Sequence, residues 1–135
     1  MEMAIATSAL RSFVELAKMD HLIFKFDVYQ VIMGLTQKRP DELSDHSGCR
    51  LGKWYYEGEG KACFSQLDGY RSMEEPHAQV HRHGREALTA FYSGDFSGSV
   101  DAVARMEQAS QSVLDCLERM AVNGDSSPDI LCMEH

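Results

Sequence analysis

Between about residue 4 and residue 37, apolar side chains return every three or four positions: Leu10, Val14, Ala17, Phe24, Val28, Val31 and Leu35. That spacing draws one continuous face along a long α-helix, and such a face must be buried against other helices. Phe13, Phe26 and Ile32 widen it. One member of the narrow stripe is polar: His21 sits where a core residue belongs. A polar group buried there needs a partner or it costs stability. Gly34 weakens the end of this segment and Pro40 is expected to close it.

The rest of the chain repeats the helical pattern. Residues 38–47 are polar and turn-rich, with Asp45 or Ser47 as candidate caps for the next segment. The stretch from Gly48 to Tyr56 is short and aromatic, and as a helix it carries Cys49 and Tyr56 along one side, with Gly52 small enough for a close neighbour. Glu57-Gly58-Glu59-Gly60 breaks the chain, and a short piece comes next, near 62–67. A third segment, 73–92, turns Met73, His77, Val80, Gly84, Ala87 and Phe91 inward, and Ser93-Gly94-Asp95 stops it. A fourth, 97–120, offers Val100, Val103, Met106, Val113, Leu117 and Met120. Amphipathic segments joined by short loops predict an all-α fold: an antiparallel four-helix bundle with a short extra helix carrying Cys49. The bundle is expected to occupy residues 1–122, and residues 123–135, rich in Asp, Ser and Pro, a loose tail.

Composition narrows the function. The chain has 135 residues, 44% of them hydrophobic, enough for one core. Its formal charge of −8 without a basic run disfavours nucleic acid as a partner. No apolar run reaches the ~18 residues of a membrane span, and no secretory leader is evident, so a cytoplasmic location is expected. Cysteines at 49, 63, 116 and 132 fit neither a disulfide framework nor a paired-cysteine metal knuckle, and are expected to be thiols.

The chemistry concentrates in Pro76-His77-Ala78-Gln79-Val80-His81. A proline suits the first turn of a helix, and histidines four apart then project from one face, where one metal ion can take both. His21 and Cys49 are the further candidate ligands. Together His21, Cys49, His77 and His81 supply three nitrogens and a sulfur, a set suited to tetrahedral Zn²⁺. The ion would keep a net charge of +1 and favour acceptors for the outer imidazole N–H groups. His46, three residues before Cys49, is an alternative ligand or a supporting group; His83 points to another face. Asp20 or Glu57 is a candidate acceptor for an imidazole. Trp54, Tyr55 and Tyr56 read as packing. Other classes remain open: a zinc hydrolase, which needs an open water position, and a hemerythrin-like di-iron oxygen carrier, which needs paired carboxylates. Glu74 precedes His77 by three, yet has no mate on another segment, and a thiolate favours zinc over bridged iron.

His21 on a long first helix, then His46-Ser47-Gly48-Cys49-Arg50-Leu51-Gly52-Lys53-Trp54-Tyr55, then Pro76-His77-Ala78-Gln79-Val80-His81, resembles the CZB family, the chemoreceptor zinc-binding domain. The resemblance runs from about residue 10 to 118. It implies a helical bundle with a three-histidine, one-cysteine zinc site, carried onto His21, Cys49, His77 and His81. It further implies regulation of a diguanylate cyclase, and so of cyclic-di-GMP, or of chemoreceptor signalling in chemotaxis. Some members of the family sense hypochlorous acid through the zinc-bound cysteine, and the family includes dimers; the long first stripe is compatible with a homodimer without demanding one. CZB domains are often fused to a GGDEF or methyl-accepting module; this sequence has neither, so it is either a free-standing chain working through a protein partner or a domain cut from a longer protein, and its ending favours the first.

Overall fold

The computed structural model describes residues 2–126, with side chains from Thr7 onward. Among them there is no strand, and the fold is all-α. Four α-helices come in order: α1 (Glu2–Ile32), α2 (Arg50–Tyr56), α3 (Glu74–Tyr92) and α4 (Phe96–Ser126). Short 3-10 turns at Pro40–Glu42 and Arg71–Met73, and a π-helical turn at Gly60–Phe64, fill the connections.

α1 buries Leu10, Val14, Ala17, His21, Phe24, Val28 and Val31, the stripe read from the sequence. It stops earlier than expected. Gly34 has φ +78°, its N–H donates to the Val31 carbonyl, and the next N–H, of Leu35, reaches back to Gln30 at 2.8 Å. This is the closure a left-handed glycine provides after a helix. Leu35 is therefore thrown outward, 66% exposed, and Phe26 also faces solvent. Pro40 does not close α1; it opens the 3-10 turn beyond it. The same closure ends α3: Gly94 has φ +84° and the Asp95 N–H donates to the Ala90 carbonyl. Asp95 then turns around and caps α4, its Oδ1 accepting the Gly98 N–H at 2.9 Å.

α1 and α4 run antiparallel. Lys18 Nζ lies 2.8 Å from Glu118, and Lys25 Nζ lies 2.8 Å from Glu107, which also accepts from Tyr29 Oη at 2.7 Å. α3 and α4 pack along Ala87, Leu88, Ser99, Ala102 and Met106, all buried. The inward face of α4 runs through Ser99, Ala102, Met106, Ser110, Val113, Leu117 and Met120. Val100, expected inside, is 64% exposed, one step off that face. α4 continues through Asn123 and Gly124 to Ser126, where the loose tail was expected to begin; residues 127–135 of that tail lie outside the described residues. Cys49 and Cys116 are free, but Cys63 is disulfide-bonded, against the expectation of scattered thiols. Sequence spacing does not constrain such a pair; the approach of the two Cα atoms in the fold does.

α2 is held by aromatic packing. Trp54 stacks on Phe13 of α1 at 4.4 Å between ring centres, and on Phe64 at 5.9 Å. Tyr55 stacks on Tyr70 at 4.1 Å, and the Tyr70 hydroxyl donates to the Tyr55 carbonyl. Trp54 and Tyr55 are core, as read from the sequence, and they hold α2 against α1 and the connection before α3.

Candidate metal centre

His77 and His81 lie one turn apart on the inward face of α3, both buried. Pro76 falls in the first turn of the helix, where its missing N–H has no intrahelical partner to lose. Cys49 is not inside α2 but is its N-cap, with φ −78° and ψ 169°. Its Sγ accepts the Gly52 N–H at 3.4 Å, the task usually given to a serine or aspartate oxygen. Upstream, Asp45 Oδ1 accepts from the N–H groups of Ser47 and Gly48 and sets the turn that delivers Cys49. Gly52 is required here: a Cβ would lie 1.9 Å from the His46 carbonyl oxygen. The close approach is by the incoming loop, not by a neighbouring helix.

One ligand atom from each of Cys49, His77 and His81 can be chosen so that all three lie within 4.8 Å of one another. Cys49 Sγ and His77 Nε2 are 3.4 Å apart. His81 donates its Nδ1–H to the Ser44 carbonyl at 2.8 Å, which leaves the Nε2 lone pair for a metal. Arg85, one turn further along α3, holds the adjacent Leu43 carbonyl through Nε and Nη2 at 3.1 and 2.6 Å. The loop opposite α3 is thus fixed at two successive carbonyls.

His21 lies outside this three-atom cluster but lines the same cavity, of about 370 Å³, with Cys49, His77 and His81. Its Nε2 is 2.7 Å from Ser110 Oγ on α4, so Nδ1 is the nitrogen left for other duties. His46 packs edge-on against His77 and Tyr56, with ring centres 5.8 and 5.9 Å away, and its carbonyl receives the Cys49 thiol at 3.7 Å. It is not part of the cluster. Asp20, a candidate acceptor for an imidazole, pairs instead with Arg50 at 3.1 Å, and Glu74 accepts from the Tyr56 hydroxyl at 2.8 Å. His83 lies beside Glu86 at 3.4 Å, away from the cluster.

Burial dominates the electrostatics. It pushes His77 down to about 3, with the neighbouring His81, His46 and His21 adding to the effect. It pushes His21 down to about 4, helped by Lys25 and His81. His81 is lowered chiefly by burial, against the pull of the Ser44 carbonyl. At neutral pH all three imidazoles are neutral, the form that ligates metal. The Cys49 thiol is pushed up by burial, with the N–H groups of Gly52 and Leu51 acting the other way. A cation is what such a site favours: it converts the thiol to thiolate and occupies lone pairs that burial keeps unprotonated.

Three features were missed in the sequence: the carbonyls of Leu43 and Ser44, the clamp by Arg85, and Ser110. Only Ser110 left a signal, as a hydroxyl in the apolar stripe of α4 between Met106 and Val113.

An all-α scaffold with a half-buried cysteine and buried histidines gathered at one point defines a metal-binding helical domain. Residues 21–88, half of the chain, match the chemoreceptor zinc-binding domain family, CZB, and the chain belongs to that family. It is a zinc-binding regulatory family, and the thiol and imidazole donors gathered here fit zinc. No curated protein and no solved structure matches the chain. No helix among the described residues is long and apolar enough to cross a membrane.

Proposed function

We propose that this chain is a cytoplasmic regulatory domain that holds Zn²⁺ through Cys49, His77, His81 and His21, and that loss of the sulfur donor is its signal. The observation that carries the reading is the convergence of Cys49, His77 and His81 within 4.8 Å inside the family segment. His21 joins as the fourth donor because it lines the same cavity. Bound zinc would hold the sulfur as thiolate, the form oxidants attack. Attack of that sulfur on hypochlorous acid yields, overall, a sulfenic acid and chloride: sulfur gives up two electrons and chlorine gains them. A sulfenic acid is a poorer donor, and Cys49 is also the cap of α2, so one event weakens a metal bond and a helix start together. Four protein donors leave no position for a substrate water, which favours a sensor over a hydrolase.

The partner we propose is a bacterial signalling protein, a diguanylate cyclase or a chemoreceptor system, read through a homodimer. Leu16, Met19, Ile23 and Phe26 of α1 are each more than a third exposed and follow the three-and-four spacing of a coiled-coil seam, with exposed Met33 one heptad beyond Phe26. A second copy laid along this stripe would complete an antiparallel four-helix arrangement around α1.

The test is metal content with and without oxidant. Wild type and His83→Ala are expected to carry one zinc per chain, and Cys49→Ser and His77→Ala to lose most of it. One equivalent of hypochlorous acid is expected to release the wild-type zinc. Zinc retained after Cys49 has been oxidised would overturn the signalling step, and a wild type that takes up no zinc would overturn the site.

A further inference from the structure

We propose that Ser110 of α4 is the positioning residue for His21: by engaging Nε2 it holds the ring plane that presents Nδ1 to the metal and accepts the Nε2–H that the metal-bound form carries. The proposal rests on the zinc site proposed above and extends it to a helix beyond the matched segment, which ends at residue 88.

The contact is 2.7 Å long and joins residues 89 positions apart. Both ends are buried, His21 at 6% exposure and Ser110 at 1%. Neutral imidazole has one N–H, and the nitrogen without it is the one that ligates; a partner on the other nitrogen holds the ring in place. A hydroxyl can accept from Nε2 or donate to it, so the contact suits either tautomer; with a metal on Nδ1, Nε2 carries the N–H and Ser110 Oγ accepts it. Remove the hydroxyl, and Nε2–H is left buried without an acceptor. The metal-bound form, which must keep its proton on Nε2, is then the one penalised.

The register that sets Ser110 opposite His21 is held on both sides. One and two turns along α1, Lys25 and Tyr29 both bond Glu107, at 2.8 and 2.7 Å; one turn back, Lys18 bonds Glu118 at 2.8 Å. Glu107 lies one turn from Ser110 on α4. The α1–α4 seam is therefore tied to the metal centre through a single hydrogen bond in its middle, and a change in His21 is felt by α4.

The experiment is a chelator-competition zinc titration of the full chain, comparing wild type, Ser110→Ala, Ser99→Ala, His21→Ala and the His21→Ala/Ser110→Ala double variant. Ser99 is as buried as Ser110 and donates to the Ala87 carbonyl at 2.9 Å, on the α3 side, so it controls for the loss of a buried hydroxyl. Ser110→Ala is expected to weaken zinc by roughly 10–100-fold, the usual effect of losing a hydrogen bond behind a ligand. Ser99→Ala is expected to leave affinity at the wild-type value, and Ser110→Ala to have no further effect once His21 is absent. Zinc-dependent hydrogen-exchange protection of residues 106–113 should be present in wild type and absent in Ser110→Ala. Wild-type affinity in Ser110→Ala, equal losses in the two serine variants, or full additivity with His21→Ala each overturn the proposal and leave the zinc site standing. A wild type that binds no zinc overturns the site itself.

Discussion

Gly52→Ala is the substitution that most directly separates packing from metal binding. A Cβ at this position would lie 1.9 Å from the His46 carbonyl oxygen and 2.8 Å from Ser47 Cα, both backbone atoms. Ordinary contact needs about 3.5 Å, so the 46–47 peptide must retreat by roughly 1.5 Å. Overpacking of this kind costs about 1–3 kcal/mol, while alanine regains about 1 kcal/mol of helix propensity over glycine. Both atoms met are backbone, so the cost falls at the top of that range or above it, and the metal-free protein should lose at least about 2 kcal/mol. The zinc-bound protein should lose more. Cys49 stands three residues after His46, and its Sγ is bonded to the Gly52 N–H. Metal–ligand distances tolerate only about 0.2 Å, far less than the displacement. A 100-fold loss of affinity at saturating zinc removes about 2.7 kcal/mol of linked stabilisation. Urea unfolding at fixed free zinc, and again with chelator, measures both terms. If alanine at 52 leaves the stabilisation by zinc equal to that of wild type, the link between loop position and sulfur position is wrong.

Trp54→Ala removes a ring that is 8% exposed and stacked between Phe13 and Phe64, and is expected to cost about 3–5 kcal/mol in urea unfolding, with or without zinc. A loss near 1 kcal/mol would show that α2 is not anchored through this ring. Ile23→Glu places a charge on the exposed stripe of α1, where Ile23 is 57% exposed. It is expected to yield a monomer in sedimentation with an unchanged unfolding midpoint; a dimer that persists would move the self-association surface elsewhere.

Most of the buried face of α1 was legible because its period is strict over six turns. Leu35 fitted the same period and still lies outside, because the left-handed Gly34 ended the helix before the next inward turn. Periodicity records a face; it does not record where the chain leaves it. Cys49 was legible as a candidate ligand but not as a helix cap, since cap preferences name oxygen-bearing side chains and the sequence offers Asp45 and Ser47 nearby. The pairing of His77 with His81 followed from spacing alone. Their approach to Cys49 did not, because it depends on the Asp45 turn and on a gap at Gly52 that only the packed loop makes visible. Val100 fell one step off the α4 face for a simpler reason: two valines three apart, Val100 and Val103, suggested a stripe that Ser99 and Ala102 in fact occupy.

The grip of α3 on the carbonyls of Leu43 and Ser44 has a kinetic meaning. Arg85 and the outer nitrogen of His81 make these bonds with atoms that no ion uses. The wall of the chamber is thus anchored independently of its contents. Ordering a free loop residue costs about 1–2 kcal/mol, and here that cost falls on folding and not on capture. Capture of a ligand here need not order the loop first, because hydrogen bonds within the protein already hold it.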